Sequence, residues 1–252
     1  MKTGIIIQAR SDSIRFPNKV TQNILDKPVI SHVIERCKRI KNCDKVVVAT
    51  TQRKIDDRLA FISLNCGVDV YRGDVTDVLN RYYQCARKFD LSNIVRITGD
   101  CPLIDIDISS NVIATFLDAS YDYVRTGSTY PDGLNTEILS LNILEYISKK
   151  AKLHSEREHV TPYLWKHPEK IKMLTVECEN DLSGFRFTLD YTDDLLFIRK
   201  VYEKLYLKDP FFGLKMILDL LRNENDIYLM MPKTRRYEGY YRSLLYDNRN
   251  LR

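Results

Sequence analysis

The chain has 252 residues, 44% of them hydrophobic and 29% charged, enough for a substantial core in one large domain or one domain with a lobe. No apolar run approaches the ~20 residues of a membrane span. The opening residues MKTGIIIQAR lack a small-residue cleavage site, so they predict a first strand rather than a signal peptide, and a cytoplasmic protein with no membrane partner. The net charge of +5 suits small anionic ligands and does not call for nucleic acid.

Ile5, Ile6 and Ile7 form a short continuous apolar run, the mark of a strand buried on both faces. "ARSDSIRFPNK" follows, abruptly charged. "PVISHVIERCKRI" spaces its apolar residues as a helix, and "KVVVATT" is a second buried strand. "DDRLAFISLNCG" predicts a helix ending near Gly67, "VDVYRG" a short strand, and "DVTDVLNRYYQCARKF" a helix capped by Asp74 or Thr76. "SNIVRITGD" is a third strong strand and "DIDISSNVIATFL" another helix. This alternation over about residues 1–120 predicts an α/β layered fold with a mainly parallel sheet.

From Tyr121 the pattern changes to a smaller α+β lobe of about residues 121–230, packed on the first half. Tyr-Pro-Asp-Gly marks a turn before a strand-like stretch, and "NILEYISKKAK" is an amphipathic helix. "SEREHVTPYLWKHP" puts Ser155 and Glu158 in capping-box register. "IKMLTVECE" and "FRFTLD" alternate as half-exposed strands. "TDDLLFIRKVYEKLY", capped by Thr192 or Asp193, and "FGLKMILDLLRNE" are helices. Residues 231–252 read as a polar, tyrosine-rich tail, either a dimer arm or partly disordered. The six scattered cysteines show no CxxC pair and read as reduced, packed thiols, and the four histidines lack metal-ligand spacing.

Ligands of such sheets sit beyond the carboxyl ends of the strands, where the charged loop and Gly99-Asp100 fall. Neither GxxxxGK[ST] nor GxGxxG is present. Arg10, Arg15 and Lys19 with the loop serines are nevertheless the ingredients of a polyphosphate site; a solvated loop with three surface cations is the alternative. Asp100 reads as a magnesium ligand or as a cap, and Asp190, again between strand and helix, as either.

Seven blocks in order carry a resemblance: "IIQARSDSIRFPNK", "VVVAT", "YRGDVTDVLNRYY", "VRITGDCPLID", "YPDGLNTEIL", "SEREHVTPY" and "TLDYTDDL". The chain resembles the SpsF-type spore coat polysaccharide cytidylyltransferase-like family, related to the acylneuraminate and 3-deoxy-manno-octulosonate cytidylyltransferases. The resemblance implies a nucleotide-diphospho-sugar transferase fold, a Rossmann-like α/β three-layer sandwich whose half over about residues 1–120 binds the nucleotide and whose smaller lobe over about residues 121–230 binds the acceptor and mediates dimerisation. It further implies Mg2+-dependent nucleotidyl transfer, with CTP favoured, to a sugar or sugar-like acid for surface polysaccharide synthesis, releasing pyrophosphate. It implies a homodimer as well.

By the same resemblance, Gln8, Ala9, Arg10, Ser13, Arg15 and Lys19 form the triphosphate loop, with Arg10, Lys19 and Asp100 catalytic and Asp100 and Asp190 holding the metal. Thr50, Arg72, Arg81 and Arg96 fall near the nucleotide. Asp132, Gly133, Glu137, Glu156, Arg157 and His159 fall where the acceptor should lie. Asp12 and Asn18 stand where the family loop commonly has glycines, and Asp12 adds a negative charge beside the expected phosphates. Two alternatives stay open: a phosphorylated acceptor giving a CDP- or other NDP-derivative, and a non-catalytic nucleotide-binding relative.

Overall fold

In a computed structural model, which describes residues 1–250, the chain opens with β1 (Thr3–Gln8). Beyond the charged loop, the two-residue strands β2 (Asn23–Ile24) and β3 (Lys27–Pro28) form a small hairpin that leads into α1 (Val29–Cys37). Next come β4 (Lys45–Thr51), α2 (Asp57–Asn65), β5 (Asp69–Gly73), α3 (Val78–Lys88), β6 (Asn93–Thr98) and α4 (Ile106–Asp118). The second half contributes β7 (Tyr123–Thr126), β8 (Glu137–Ser140), α5 (Leu141–Lys150), α6 (His154–His159), α7 (Pro162–Lys166) and β9 (Met173–Val176). It finishes with α8 (Thr192–Leu205), α9 (Leu214–Asn223), α10 (Asn225–Met230) and α11 (Glu238–Asn250).

The strands form one seven-stranded sheet in the order β5-β4-β1-β6-β8-β7-β9. β5, β4, β1 and β6 are mutually parallel, whereas β8 runs antiparallel to both β6 and β7. Successive side chains on a strand face opposite sides. Ile5 and Ile7 accordingly pack on one face with Val33 and Ile34 of α1, and Ile6 packs on the other with Leu79 and Tyr82 of α3. Strands buried on both faces need continuous apolar runs, which explains the Ile5, Ile6, Ile7 and Val47, Val48, Ala49 sequences. A third cluster gathers α8, α9 and α10 around Phe187, Leu189 and Leu103 and forms the smaller layer. The sheet itself continues across both halves through β7, β8 and β9.

Several local expectations change. "FRFTLD" is not a regular strand: it runs extended past two other segments, with Phe187 N donating to Asp132 O (2.6 Å) and Leu189 N to Asp100 O (2.8 Å). Phe187 and Leu189 are fully buried, so its alternation reflects a core edge rather than a half-exposed sheet. α3 is capped by Asp77, which accepts from Asn80 N, while Asp74 accepts from Thr76 N and Asp77 N in the preceding turn. α6 begins one residue before Ser155, and Glu156 rather than Glu158 reaches back to the Lys152 and Leu153 amides. At α8 it is Asp194 that accepts from the Asp190 and Tyr191 amides. The expected polar tail contains α11; its last two residues, Leu251 and Arg252, lie outside the described residues. α11 docks on α6, where Asp247 accepts from Ser155 N and His159 Nε2 meets Ser243 Oγ at 3.1 Å. Among the described residues, no helix is long and apolar enough to cross a membrane.

Candidate active site

A cleft of about 500 Å³ opens at the carboxyl ends of β1 and β6, the edge where parallel α/β sheets bind ligands. Its floor depends on two backbone features. Gly99 N donates to Gln8 O at 2.8 Å, and a Cβ on Gly99 would lie 2.7 Å from that of Ala9, so only glycine lets the two strand ends close. Asn18 takes φ 58°, with its amide donating to Ser11 O at 2.8 Å. The left-handed turn that glycine would ease is therefore made by asparagine, the residue that best tolerates it after glycine. Asp12 needs no positive φ; its carboxylate is paired with Arg53 and with Arg10 Nε.

The loop cations do not repel one another unanswered. Lys19 Nζ lies 2.6 Å from Asp100 Oδ2 and 2.9 Å from Asp190 Oδ1. Arg15 pairs with the same Asp190 oxygen and reaches Glu238 at 3.5 Å. Arg10 Nη2 donates to Glu158 Oε1 at 2.9 Å and is the most exposed of the three. Burial alone would lower the Lys19 pKa, but the two carboxylates outweigh it and raise it. Burial alone would likewise raise Asp190; Lys19, Arg15 and Arg186 overcome that and hold its carboxyl far below the usual range.

Two carboxylate oxygens converge on one ammonium here. They are the hard donors that magnesium prefers, usually one or two carboxylates completed by substrate phosphate. Among the described residues no group of three or more His, Cys, Asp or Glu builds a fuller cage, so phosphate oxygens would complete the shell. Asp100 and Asp190 therefore fit a divalent cation shared with a polyphosphate.

The cleft gathers Gln8, Ala9, Arg10, Ser13, Arg15, Lys19, Arg96, Asp100, Asp132, His159 and Asp190 of the expected residues. Ser13 spends its hydroxyl inside the loop, accepting from Phe16 N. Burial lowers the His159 pKa to about 4, so its ring is neutral. Arg96 donates to Glu137 at 2.9 Å.

Seven others are placed elsewhere. Thr50 is fully buried in β4. Arg72 pins the turn after β4, bonding Thr51 O, Arg53 O and Asp57. Arg81 is buried and donates to Asp74 O. Gly133, at φ 101°, packs against the backbone of residues 187–188. Glu137 lies behind the cleft, accepting from Tyr123, Thr161 and Arg96. Glu156 caps α6 and pairs with Lys166. Arg157 clamps Asp77 and donates to Ser148 O and Ala151 O.

Sequence reasoning missed Arg186 and the face that α11 adds. Arg186, 5% exposed, bonds Asp132, Asp190 and Asp194. Glu238 of α11 accepts from Tyr191 Oη at 2.8 Å and pairs with Arg15 and Arg242. Only the "FRFTLD" register, with Arg186 four residues before Asp190, hinted at the first; the tail's mixed charge hid the second.

Residues 4–226 match the family model described as cytidylyltransferase. An uncharacterized protein of Methanocaldococcus jannaschii is 37% identical over 82% of this chain and 83% of its own length. The spore coat polysaccharide biosynthesis protein SpsF of Bacillus subtilis is 29% identical over 86% of this chain and 93% of its own. A cytidylyltransferase structure from Leptospira borgpetersenii superposes with TM-score 0.87 at 32% identity, covering 94% of this chain and all of that one. The structure of CMP:2-keto-3-deoxy-manno-octonic acid synthetase complexed with CTP shares the fold, with TM-score 0.65 at 18% identity, over 81% of this chain and 99% of that one.

Proposed function

Because the chain belongs to the cytidylyltransferase family, we propose that this nucleotidyltransferase moves a cytidylyl group from CTP to a hydroxyl of a sugar or sugar-like acid. The products are a CMP-sugar for surface glycan synthesis and pyrophosphate. The observation that carries the reading is the Lys19 clamp, a buried cation holding Asp100 and Asp190 at the floor of a cleft rimmed by Arg10 and Arg15.

Nucleotidyl transfer needs no covalent enzyme group. It needs an acceptor oxygen aimed at the α-phosphorus and relief of the charge that gathers on the departing pyrophosphate. A bond forms between acceptor oxygen and α-phosphorus, the acceptor's O–H bond breaks with its proton passing to solvent, and the bond from α-phosphorus to the bridging oxygen breaks, that oxygen leaving with pyrophosphate. Arg10, whose guanidinium is the most exposed, and Arg15 take the β- and γ-phosphates, exchanging carboxylate partners for phosphate oxygens. Lys19 keeps the two carboxylates apart and shares its charge with the leaving group. Asp100 and Asp190 would hold magnesium, which when bound supplies Lewis-acid polarisation of the phosphates. Neutral His159, with Ser243 and Tyr240 beside it, offers uncharged hydrogen-bonding partners for acceptor hydroxyls.

The test is pyrophosphate release from CTP, UTP, GTP and ATP with magnesium and a panel of 2-keto-3-deoxy sugar acids and sugar phosphates, with product masses. A CMP adduct of a sugar acid supports the reading. A product joined through an acceptor phosphate, or turnover with another nucleotide only, overturns it. The homodimer is carried forward on resemblance, and light scattering tests it.

A further inference from the structure

The proposed chemistry leaves Arg186 without a task, yet no cleft side chain is more fully committed. Its Nη2 donates to Asp190 Oδ2 at 2.9 Å, Nη1 to Asp132 Oδ2 at 2.8 Å, and Nε to Asp194 Oδ1 at 3.2 Å. The two oxygens of Asp190 are thereby divided. Oδ2 belongs to Arg186, while Oδ1 faces Lys19 and Arg15. The backbone of Asp190 is fixed from the same hub, because Asp194 Oδ2 accepts the Asp190 amide at 2.7 Å while Asp194 Oδ1 holds Arg186. The far end is anchored at Asp132, whose backbone bonds residues 185 and 187.

A planar guanidinium can serve three carboxylates in fixed directions, which an ammonium cannot. Burying so many charges is poor economy for stability alone, since apolar side chains of similar volume often do as well. What the arrangement supplies is orientation. We propose that Arg186 is a positioning residue, holding Oδ2 of Asp190 so that Oδ1 is presented to a divalent cation bound together with CTP. This rests on the reading of Asp190 as a metal ligand.

The experiment is calorimetric titration of CTP into the full chain at a series of magnesium concentrations. The wild type is expected to bind CTP more tightly as magnesium rises. In Arg186→Lys, the magnesium needed for half of that gain rises about 10- to 100-fold, the usual cost of losing an outer partner of a metal ligand. Its CTP affinity without magnesium stays within about twofold, as for an uncoupled site. A role confined to packing would weaken both. In an Asp190→Asn background, Arg186→Lys produces no further shift.

Wild-type magnesium dependence in Arg186→Lys overturns the proposal, as does a shift that persists in the Asp190→Asn background. Should Arg186→Lys fail to fold, Asp132→Asn, which removes an anchor of Arg186 without touching Asp190, must shift the magnesium requirement in the same direction. An unshifted requirement there overturns it too. If the wild type gains nothing from magnesium, the metal assignment of Asp190 falls first and this proposal with it.

Discussion

Replacing Lys19 by Met keeps most of the buried stem and removes the ammonium that bonds Asp100 at 2.6 Å and Asp190 at 2.9 Å. The two carboxylates then face each other with nothing between them. At about 5 Å and an effective dielectric near 20, two unit charges repel by about 3 kcal/mol. Asp190 keeps Arg15 and Arg186, but Asp100 loses its cation. Breaking a buried pair typically costs about 3–5 kcal/mol. The Asp100 side chain is 24% exposed, so the low end applies and Lys19→Met is expected to lose about 3 kcal/mol. Urea unfolding at pH 7 without nucleotide or metal measures this. Adding Asp100→Asn removes the repulsion, so the double variant should return to within about 1 kcal/mol of the wild type. A double variant no more stable than Lys19→Met alone would refute the account of Lys19 as the charge that separates these acids.

Three further outcomes follow from the same geometry. His159 is held near 4 by burial against an ordinary value of 6.5, so between those pH values the unfolded chain binds a proton that the folded chain refuses. Stability should fall by about 3 kcal/mol as pH drops from 6.5 to 4, and His159→Gln should flatten that part of the curve; an unchanged slope sinks the assignment. Glu238→Ala frees Arg15 and Arg242 from a partly exposed pairing of about 0.5–1 kcal/mol, so CTP should bind about two- to fivefold more tightly by calorimetry. Weaker binding would mean that Glu238 serves the nucleotide. Gly133→Ala puts a Cβ 2.5 Å from the Phe187 carbonyl carbon at φ 101°, against backbone that cannot yield. A loss of about 3 kcal/mol is expected, lowering Tm by about 6–12 °C, and a Tm within error of the wild type would contradict it.

The parallel half of the sheet was legible because burial on both faces leaves a signature in one dimension: runs such as Ile5, Ile6, Ile7 need no knowledge of their partners. The clamp was legible in part for a similar reason. Arg10, Arg15, Lys19 and Asp100 follow strands directly, and strand ends are where such sheets hold ligands. Charge identity failed where the partner was remote. Nothing local distinguishes Arg157, which clamps Asp77 eighty residues away, from an arginine awaiting a substrate. Glu137, Glu156, Arg72 and Arg81 misled in the same way, each spent on a turn, a cap or a buried pair. The helix α11 was hidden because its docking is made by polar contacts, Ser155 with Asp247 and His159 with Ser243, and by scattered tyrosine rings such as Tyr240 on His159, rather than by an aliphatic stripe.

The position of β1 at the centre of the sheet bears on how the chain emerges from the ribosome. β1 is made first, but its neighbours β4 and β6 follow about 40 and 90 residues later. At about 5–20 residues per second, the isoleucine run waits several seconds for its second edge to be covered. The cleft waits longer, since Arg15 meets Asp190 only after the second half is made and Glu238 only when α11 has been translated. A nascent chain stalled before residue 190 therefore carries Arg15 with neither of its carboxylate partners, and the cleft is complete only once α11 has been made, well after the parallel strands that form its floor.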